Sequence, residues 1–509
     1  METFGHLAVG LQIALTPVNF AYLIVGLVAG MVVGVFPGLG PAAGIAILLP
    51  LTFNVEPVTA VVMLAAIYYG SMYGATATAI LLNTPGVSAV VASTFDGYPL
   101  AQQGRAGPAL VMQAVASFVG GTVGLLLLTL LAPAFTRVAR SFGPPEFFML
   151  VMAGMLALAV MLGRNRRLGM VSALLGFAVA TVGVDVGTGH QRFTFGSPDL
   201  MGGMDFIALA IGLFGIGELL ESVYSGLHRS GWGGPVVRLG SVRIWPEASD
   251  WLECRFTLIR GSLIGFGVGV IPGAGATLAS LMAYSLEKTI SRTPERFGTG
   301  VMSGLVAPEA ANNAASSGAM IPLLTLGIPG SASTAVLLGA FLMWGLRPGP
   351  QLMTDNPEFA WGLIASMYVG NMMLVVLSIV AIPLFTFAAR VPYAVLAPVV
   401  VVLCAIGTFA VNGSVTDVWI MLIAGILGFF MKRQGFSPAA MVVAIVLGPL
   451  AESTLRQSLI ISEGSLLIFL QRPVALALGV LIALLVFAGP MSSRLALLRR
   501  MSPSTSEPG

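Results

Sequence analysis

Apolar runs follow one another along almost the whole chain. They cover 18–36, 57–82, 107–133, 146–163, 168–184 and 203–225, then 256–286, 300–328, 331–346, 359–389, 391–411, 416–431, 436–450 and 473–489. A helix that crosses a bilayer needs about 20 consecutive apolar residues, and many of these runs approach that length. Polar groups to cover them are missing: 57% of the 509 residues are hydrophobic and 9% charged, against about 25% charged in a soluble domain. A mean hydropathy of +0.95 points the same way. The solvent around most of the chain is therefore lipid. Some runs are short or interrupted by Pro-Gly, so the pattern predicts an all-α polytopic membrane protein with roughly 10–12 crossings plus re-entrant pieces.

Other classes find little support. The net charge of +3 comes from basic residues placed in loops, which gives no patch for nucleic acid. Cys254 and Cys404 are far apart, and His6, His190 and His228 are scattered. No His/Cys/carboxylate cluster or Ser-His-Asp pattern emerges, so neither a metal, a cofactor nor an intramembrane enzyme is expected. The first apolar run follows a stretch without Lys or Arg and continues into a broken helix, unlike a cleaved signal peptide.

A polar stretch from Leu227 to Arg255 divides the chain; it carries Arg229, Arg238, Arg243, Glu247, Asp250, Glu253 and Arg255. The expected organisation is a first transmembrane unit over 18–226, a cytoplasmic connector over 227–255, a second unit over 256–490 and a cytoplasmic tail over 491–509. The two units read as copies. Gly26, Gly30, Gly34 and Pro37-Gly38-Leu39-Gly40 match Gly261, Gly265, Gly269 and Pro272-Gly273-Ala274-Gly275 at an offset of 235. Thr84-Pro85-Gly86 matches Ile328-Pro329-Gly330 at 244, and Phe118-Val119-Gly120 matches Tyr368-Val369-Gly370 at 250. Order is kept while the offset grows slowly, as loop insertions would produce.

Loop charge suggests that the copies are inverted. Arg164-Asn165-Arg166-Arg167 is basic and should be cytoplasmic, whereas its counterpart Ser414–Asp417 has no basic residue. The next loop, Asp185–Asp199, has one Arg, whereas its counterpart Lys432-Arg433-Gln434-Gly435 is basic. Arg494, Arg499 and Arg500 place the C-terminal end in the cytoplasm. Glu218 and Glu221, at the end of a run, are expected in the headgroup region.

Four Pro-Gly breaks carry the strongest chemical signal: Pro37-Gly38-Leu39-Gly40 with Asn83-Thr84-Pro85-Gly86, and Pro272-Gly273-Ala274-Gly275 with Gly327-Ile328-Pro329-Gly330. Proline removes a backbone donor and glycine permits positive φ, so each stretch interrupts a helix. In hydrocarbon such breaks survive only where protein or a water-lined cavity surrounds them. Half-helix N-termini then attract an anion and freed carbonyls attract a cation, the pattern of a secondary transporter site. Simple kinks are the alternative. A substrate site is accordingly expected at Gly38, Gly40, Asn83, Thr84, Pro85, Gly86, Gly273, Gly275, Pro329 and Gly330, together with Asn312 and Asn313.

The two asparagines belong to Ala307-Pro308-Glu309-Ala310-Ala311-Asn312-Asn313, followed by Ser316-Ser317-Gly318. Polar groups inside a span face the protein interior. Spacings of three and four place Glu309, Asn312 and Asn313 on one helical face, expected beside the Pro329-Gly330 break. Amides suit a carboxylate, and Glu309 with Asn313 suits a coupling Na⁺ or proton. Polar packing between small-residue helices is the competing reading. In the first unit, the hydroxyls of Ser71, Thr76 and Thr78 either line the same cavity or bond their own helix. Tyr68, Tyr69 and Tyr73 are expected to pack or to sit at the interface.

These motifs resemble those of the large membrane subunit of tripartite tricarboxylate transporters, the TctA type. The resemblance rests on Gly34–Gly40, Tyr69-Gly-Ser-Met-Tyr-Gly74, Thr94-Phe-Asp-Gly-Tyr-Pro-Leu-Ala101, Gly269–Gly275, Ala307–Asn313 and Leu326–Gly330, and extends over about 18–490. It implies Na⁺- or H⁺-driven symport of a tricarboxylate or other organic carboxylate across the bacterial inner membrane. It also implies a periplasmic solute-binding protein and a small membrane subunit as partners. A stand-alone channel or exporter would need neither partner.

The loop charges generate a direct expectation. Cysteines at 164–167 and 432–435 should label from the cytoplasmic side, and those at 185–199 and 412–417 from the periplasmic side. Labelling of 164–167 and 414–417 from one side contradicts inversion.

Overall fold

The computed structural model describes residues 2–36, 38–162, 165–185, 187–228, 244–380 and 393–486. Pro37, Arg164, Arg229, Arg238, Arg243 and the expected tail 491–509 lie outside the described residues. The chain forms helices α1 (Glu2–Ala14), α2 (Pro17–Val35), α3 (Pro41–Leu48), α4 (Pro57–Leu82), α5 (Val91–Leu100), α6 (Ala106–Ala139), α7 (Pro144–Leu162) and α8 (Arg166–Ala180). Helices α9 (Phe206–Ala210) and α10 (Gly217–His228) are joined by a π-helical turn. Beyond the connector come α11 (Ala248–Gly269), α12 (Gly275–Ile290), α13 (Met302–Gly318), α14 (Met320–Leu326), α15 (Ala332–Met343), α16 (Pro350–Asp355) and α17 (Pro357–Val380). The last long helices are α18 (Tyr393–Asn412), α19 (Val415–Gln434) and α20 (Pro438–Ile461). Among the described residues, eight helical stretches are long and apolar enough to cross a membrane, and shorter apolar helices accompany them.

Two boundaries differ from hydropathy alone. Helix α11 begins at Ala248, inside the polar connector, because Glu247 and Asp250 form a capping box at its start. Residues 88–139 form one helical stretch although the apolar run starts only at 107. The polar residues of its first part, Ser93 and Asp96, are wholly buried, so they lower the hydropathy without marking a loop.

Helices α4 and α13 form the centre. Every residue of α4 from Thr59 to Leu81 is buried, and so are all 17 residues of α13. Glycine explains how α2 and α11 come so close to them. Gly26, Gly30 and Gly34 of α2 lie against the carbonyls of Met63, Ile67 and Ser71 of α4. Gly261, Gly265 and Gly269 of α11 lie against the carbonyls of Ala307, Ala311 and Ala315 of α13. The glycines correspond at an offset of 235 and the carbonyls at 244, the same offsets that align the sequence motifs. Small residues admit this backbone approach, which drives helix association where lipid removes the hydrophobic contribution.

The units are interlocked. Gly120 of α6, in the first unit, packs on Ala310 of α13, in the second; Gly370 of α17 packs on Tyr69 of α4. At one end, Arg105 makes a bidentate pair with Asp250 at 2.7 Å, and Gln103 donates to the Thr299 carbonyl at 2.6 Å. Elsewhere, Thr416 donates to Asp199 at 2.6 Å and Asn412 to Asp205 at 3.2 Å. Thus the 185–205 loop and the start of α19 meet. In that loop, Arg456 binds Asp185 at 2.8 Å and holds its carboxyl well below the usual range.

Close packing at the breaks discriminates between their glycines. A Cβ on Gly86 would fall 2.9 Å from the Ala75 Cβ and press on the Gly34 carbonyl, whereas one on Gly40 meets nothing nearer than Val87 at 3.7 Å. Gly86→Ala should therefore destabilise the detergent-solubilised protein by about 1–3 kcal/mol. Gly40→Ala should cost less than about 0.5 kcal/mol. Thermal unfolding of the two variants checks this; equal losses would contradict the packing described here.

Candidate functional site

The breaks are hydrogen-bonded in pairs. Gly38 N–H donates to the Gly86 carbonyl at 3.3 Å, and Gly273 N–H donates to the Gly330 carbonyl at 3.1 Å. Gly38 and Gly273 have φ of +93° and +88°, values that a side chain at either position would strain. Gly40 does not share this constraint: its φ is −71° and it caps α3. Helix α4 ends at Asn83 in a left-handed conformation, and α14 ends at Gly327 in the same one. The Thr84 N–H then reaches back to the Thr78 carbonyl, as the Ile328 N–H reaches back to Pro322. One backbone bond thus joins the two breaks of each pair, and a second ties the later break to the end of its own helix.

Helices restart after the breaks, at Pro41, Ser88, Gly275 and Ala332. Hydroxyls from opposite units meet there. Ser88 Oγ lies 3.0 Å from Thr277 Oγ1, and Tyr68 Oη lies 3.4 Å from Ser331 Oγ. The first break also abuts α10: a Cβ on Gly38 would press on Ser222 and come within 3.7 Å of Glu218 Oε1. Glu218 pairs with Lys432. Glu218 is therefore beside a break, a position that its place at the end of an apolar run did not suggest.

Glu309 lies at the seam between the units. Its side chain is fully buried. Oε1 accepts from Ser93 Oγ at 2.6 Å and Thr76 Oγ1 at 2.9 Å, and Oε2 from Ser117 Oγ at 3.4 Å. These hydroxyls come from α5, α4 and α6 of the first unit, so a carboxylate of the second is held entirely by neutral groups of the other. Among the described residues no basic side chain bonds it. A charge in such a place needs a compensating ion or proton, because desolvation costs several kcal/mol.

The neighbouring positions separate into distinct roles. Thr76 bonds both Glu309 and the Met72 carbonyl, whereas Ser71 and Thr78 bond only carbonyls of their own helix. Asn313 donates to the Glu309 backbone carbonyl at 3.1 Å. Asn312 is fully buried, and neither its Nδ2 nor its Oδ1 has a partner. The Gln113 Oε1 and Tyr69 hydroxyl are also buried without partners, while Gln113 Nε2 donates to the Tyr73 carbonyl. Tyr68, Tyr69 and Tyr73 all belong to the interior.

One placement must be corrected. Gly330 packs on Ala319, which follows Glu309 by 10 residues and Asn312 by 7, roughly 15 and 10 Å of helix at 1.5 Å per residue, so Glu309 is not beside Pro329-Gly330. Glu309 faces the other unit's break instead. Thr76 follows Ala75, on which Gly86 packs, Ser93 follows that break, and α13 packs on the turn Ser88–Val90. Helix α13 runs antiparallel to α4, as the pairs Thr76–Glu309 and Tyr68–Ser316 show, so Glu309 sits at the first unit's break rather than at the one that follows it in sequence.

Asp96 fixes this geometry and gave no separate signal in the sequence beyond its motif. Its buried carboxylate accepts from the N–H groups of Gly298, Gly300 and Val301 at 2.8–2.9 Å and from the Tyr284 hydroxyl at 3.0 Å. It thereby holds the segment that leads into α13, one turn after Ser93 on the same helix. A carboxylate at a helix N-terminus is favoured by the exposed N–H groups and the dipole.

Comparison with known proteins agrees with this architecture. The model of the tripartite tricarboxylate transporter TctA family matches residues 20–443. The uncharacterized 52.8 kDa protein in the TAR-I ttuC' 3' region of Agrobacterium vitis is 43% identical over 481 residues, 94% of each chain. An uncharacterized protein in the TAR-II ttuC' 3' region of the same organism is 41% identical over 237 residues, 46% of this chain and 96% of the relative. The chain belongs to the tripartite tricarboxylate transporter TctA family.

Proposed function

We propose that this protein is the permease of a binding-protein-dependent secondary transporter of the bacterial inner membrane, importing a tricarboxylate or other organic carboxylate by cation symport. A periplasmic solute-binding protein supplies the substrate and a small membrane subunit completes the complex. The buried Glu309 carboxylate, bonded among the described residues by hydroxyls of the opposite unit alone, carries this reading. A fixed charge without a counter-charge is costly to hold, and a transported cation removes that cost during the cycle. The paired breaks supply helix restarts suited to an anion. Asn312, buried and without a partner, supplies the amide expected for carboxylate recognition.

Inverted topology of the units is part of the proposal, and the ends of α19 support it. Ser437 N–H bonds Ser172 Oγ at 2.9 Å and Gly176 packs on the Met441 carbonyl, so α8 runs parallel to α20 with its start at the Lys432 end of α19. Thr416 and Asp199 mark the other end. Residues 165–167 and their counterparts 415–417 therefore lie about one helix length apart, roughly 28 Å at 1.5 Å per residue.

Uptake into proteoliposomes tests the assignment, using a panel of carboxylates with and without Na⁺ and pH gradients, in the presence of the two partner proteins. Accumulation of one carboxylate above its external level under a cation gradient is expected. Glu309→Gln keeps acceptors for Thr76 and Ser93, so it should fold and lose its response to the gradient. Its half-saturating substrate concentration should change less than about threefold, under 1 kcal/mol. Asn312→Ala should raise that concentration at least about tenfold, about 1.4 kcal/mol. Unchanged dependence on both Na⁺ and pH in Glu309→Gln makes Glu309 a packing residue.

A further inference from the structure

We infer that Glu309, Thr76, Ser93 and Ser117 form a binding site for one alkali cation of the size of Na⁺, which makes Na⁺ rather than the proton the coupling ion. This inference rests on the symport reading and narrows it. Four side chains from four helices converge, and every donor atom they present is oxygen: two carboxylate oxygens and three hydroxyls within 2.6–3.4 Å of them. All-oxygen sets are the chemistry of hard cations.

Charge selects valence. One carboxylate with neutral hydroxyls exactly balances one positive charge, whereas a divalent ion would leave an uncompensated charge in the interior. The hydroxyls also have somewhere to direct their protons when their lone pairs face a cation. Thr76 already lies 3.2 Å from the Met72 carbonyl of its own helix, and helical serines find equivalent acceptors three or four residues back. The same groups can therefore stabilise the bare carboxylate and the bound cation.

A second observation points to a ligand at this place. Asn312 follows Glu309 by one turn of α13, is fully buried and leaves both polar atoms without partners. Gln113 precedes Ser117 by one turn of α6, with its Oε1 unpartnered. Buried polar atoms are seldom left unsatisfied. Each of the two lies one turn from a member of the cluster on the same helix. Asp96 serves the site as a positioning residue, since it anchors the entry to α13 from the helix that also carries Ser93.

Equilibrium binding of ²²Na⁺ to the purified full-length protein tests the inference without any carboxylate present. Saturable binding is expected, displaced by Li⁺ better than by K⁺ and weakened at least about tenfold in Ser93→Ala and in Thr76→Val. Ser117→Thr, which keeps the hydroxyl, should bind within about threefold of the parent. Sodium binding that is unchanged in Ser93→Ala and Thr76→Val places the ion elsewhere and overturns the inference. Absence of ²²Na⁺ binding, with carboxylate uptake driven by a pH gradient in choline medium, also overturns it while leaving the permease reading intact. Specific ²²Na⁺ binding without carboxylate uptake under either gradient supports the cation site and contradicts the permease reading.

Discussion

A carboxylate placed inside a membrane protein without a basic partner dominates the physics around it. Glu309 meets this constraint with three hydroxyls drawn from α4, α5 and α6. Hydroxyls stabilise a negative charge without neutralising it, so the carboxylate still attracts a cation. A guanidinium or ammonium at the same distance would have removed that attraction. The surrounding helices are arranged so that only protein reaches this carboxylate: α13 is buried along its whole length, and α4 along nearly all of its own.

That enclosure depends on glycine. Three glycines of α2 and three of α11 let each helix lie on the backbone of its partner. Gly120 and Gly370 then lock each unit onto the central helix of the other. The interlocking explains why the hydroxyls around Glu309 come from one unit and the carboxylate from the other. Relative movement of the units would change the number of hydroxyls around Glu309, and with it the affinity for a cation. The Gly38–Gly86 and Gly273–Gly330 bonds hold each pair of breaks as one body, so the polar backbone at membrane depth is retained during such movement.

Much of the architecture was legible in the sequence. Apolar runs located the helices, because lipid demands continuous hydrophobicity. Pro-Gly pairs located the breaks, because no other residues interrupt a helix so consistently. Glu309 stood out as an acid in an otherwise small and apolar segment. Its partners did not stand out. Ser93, Thr76 and Ser117 are 192–233 positions away from it, and a helical serine usually satisfies itself, as Ser71 does. Asp96 was hidden because its partners Gly298, Gly300 and Val301 are 202–205 positions away. Helix α5 escaped the hydropathy reading because its polar face points inward. Antiparallel packing of α13 on α4 also put Glu309 at the first unit's break rather than at the one that follows it in sequence.

If Glu309 is the coupling carboxylate, its state changes when the cation binds. Infrared difference spectroscopy on the purified protein measures this directly, by comparing spectra before and after addition of the cation in the parent and in Glu309→Gln. A shift of a carboxylate stretching band is expected in the parent and absent from the variant. Identical difference spectra for the two proteins, under conditions that support uptake by the parent, would contradict it.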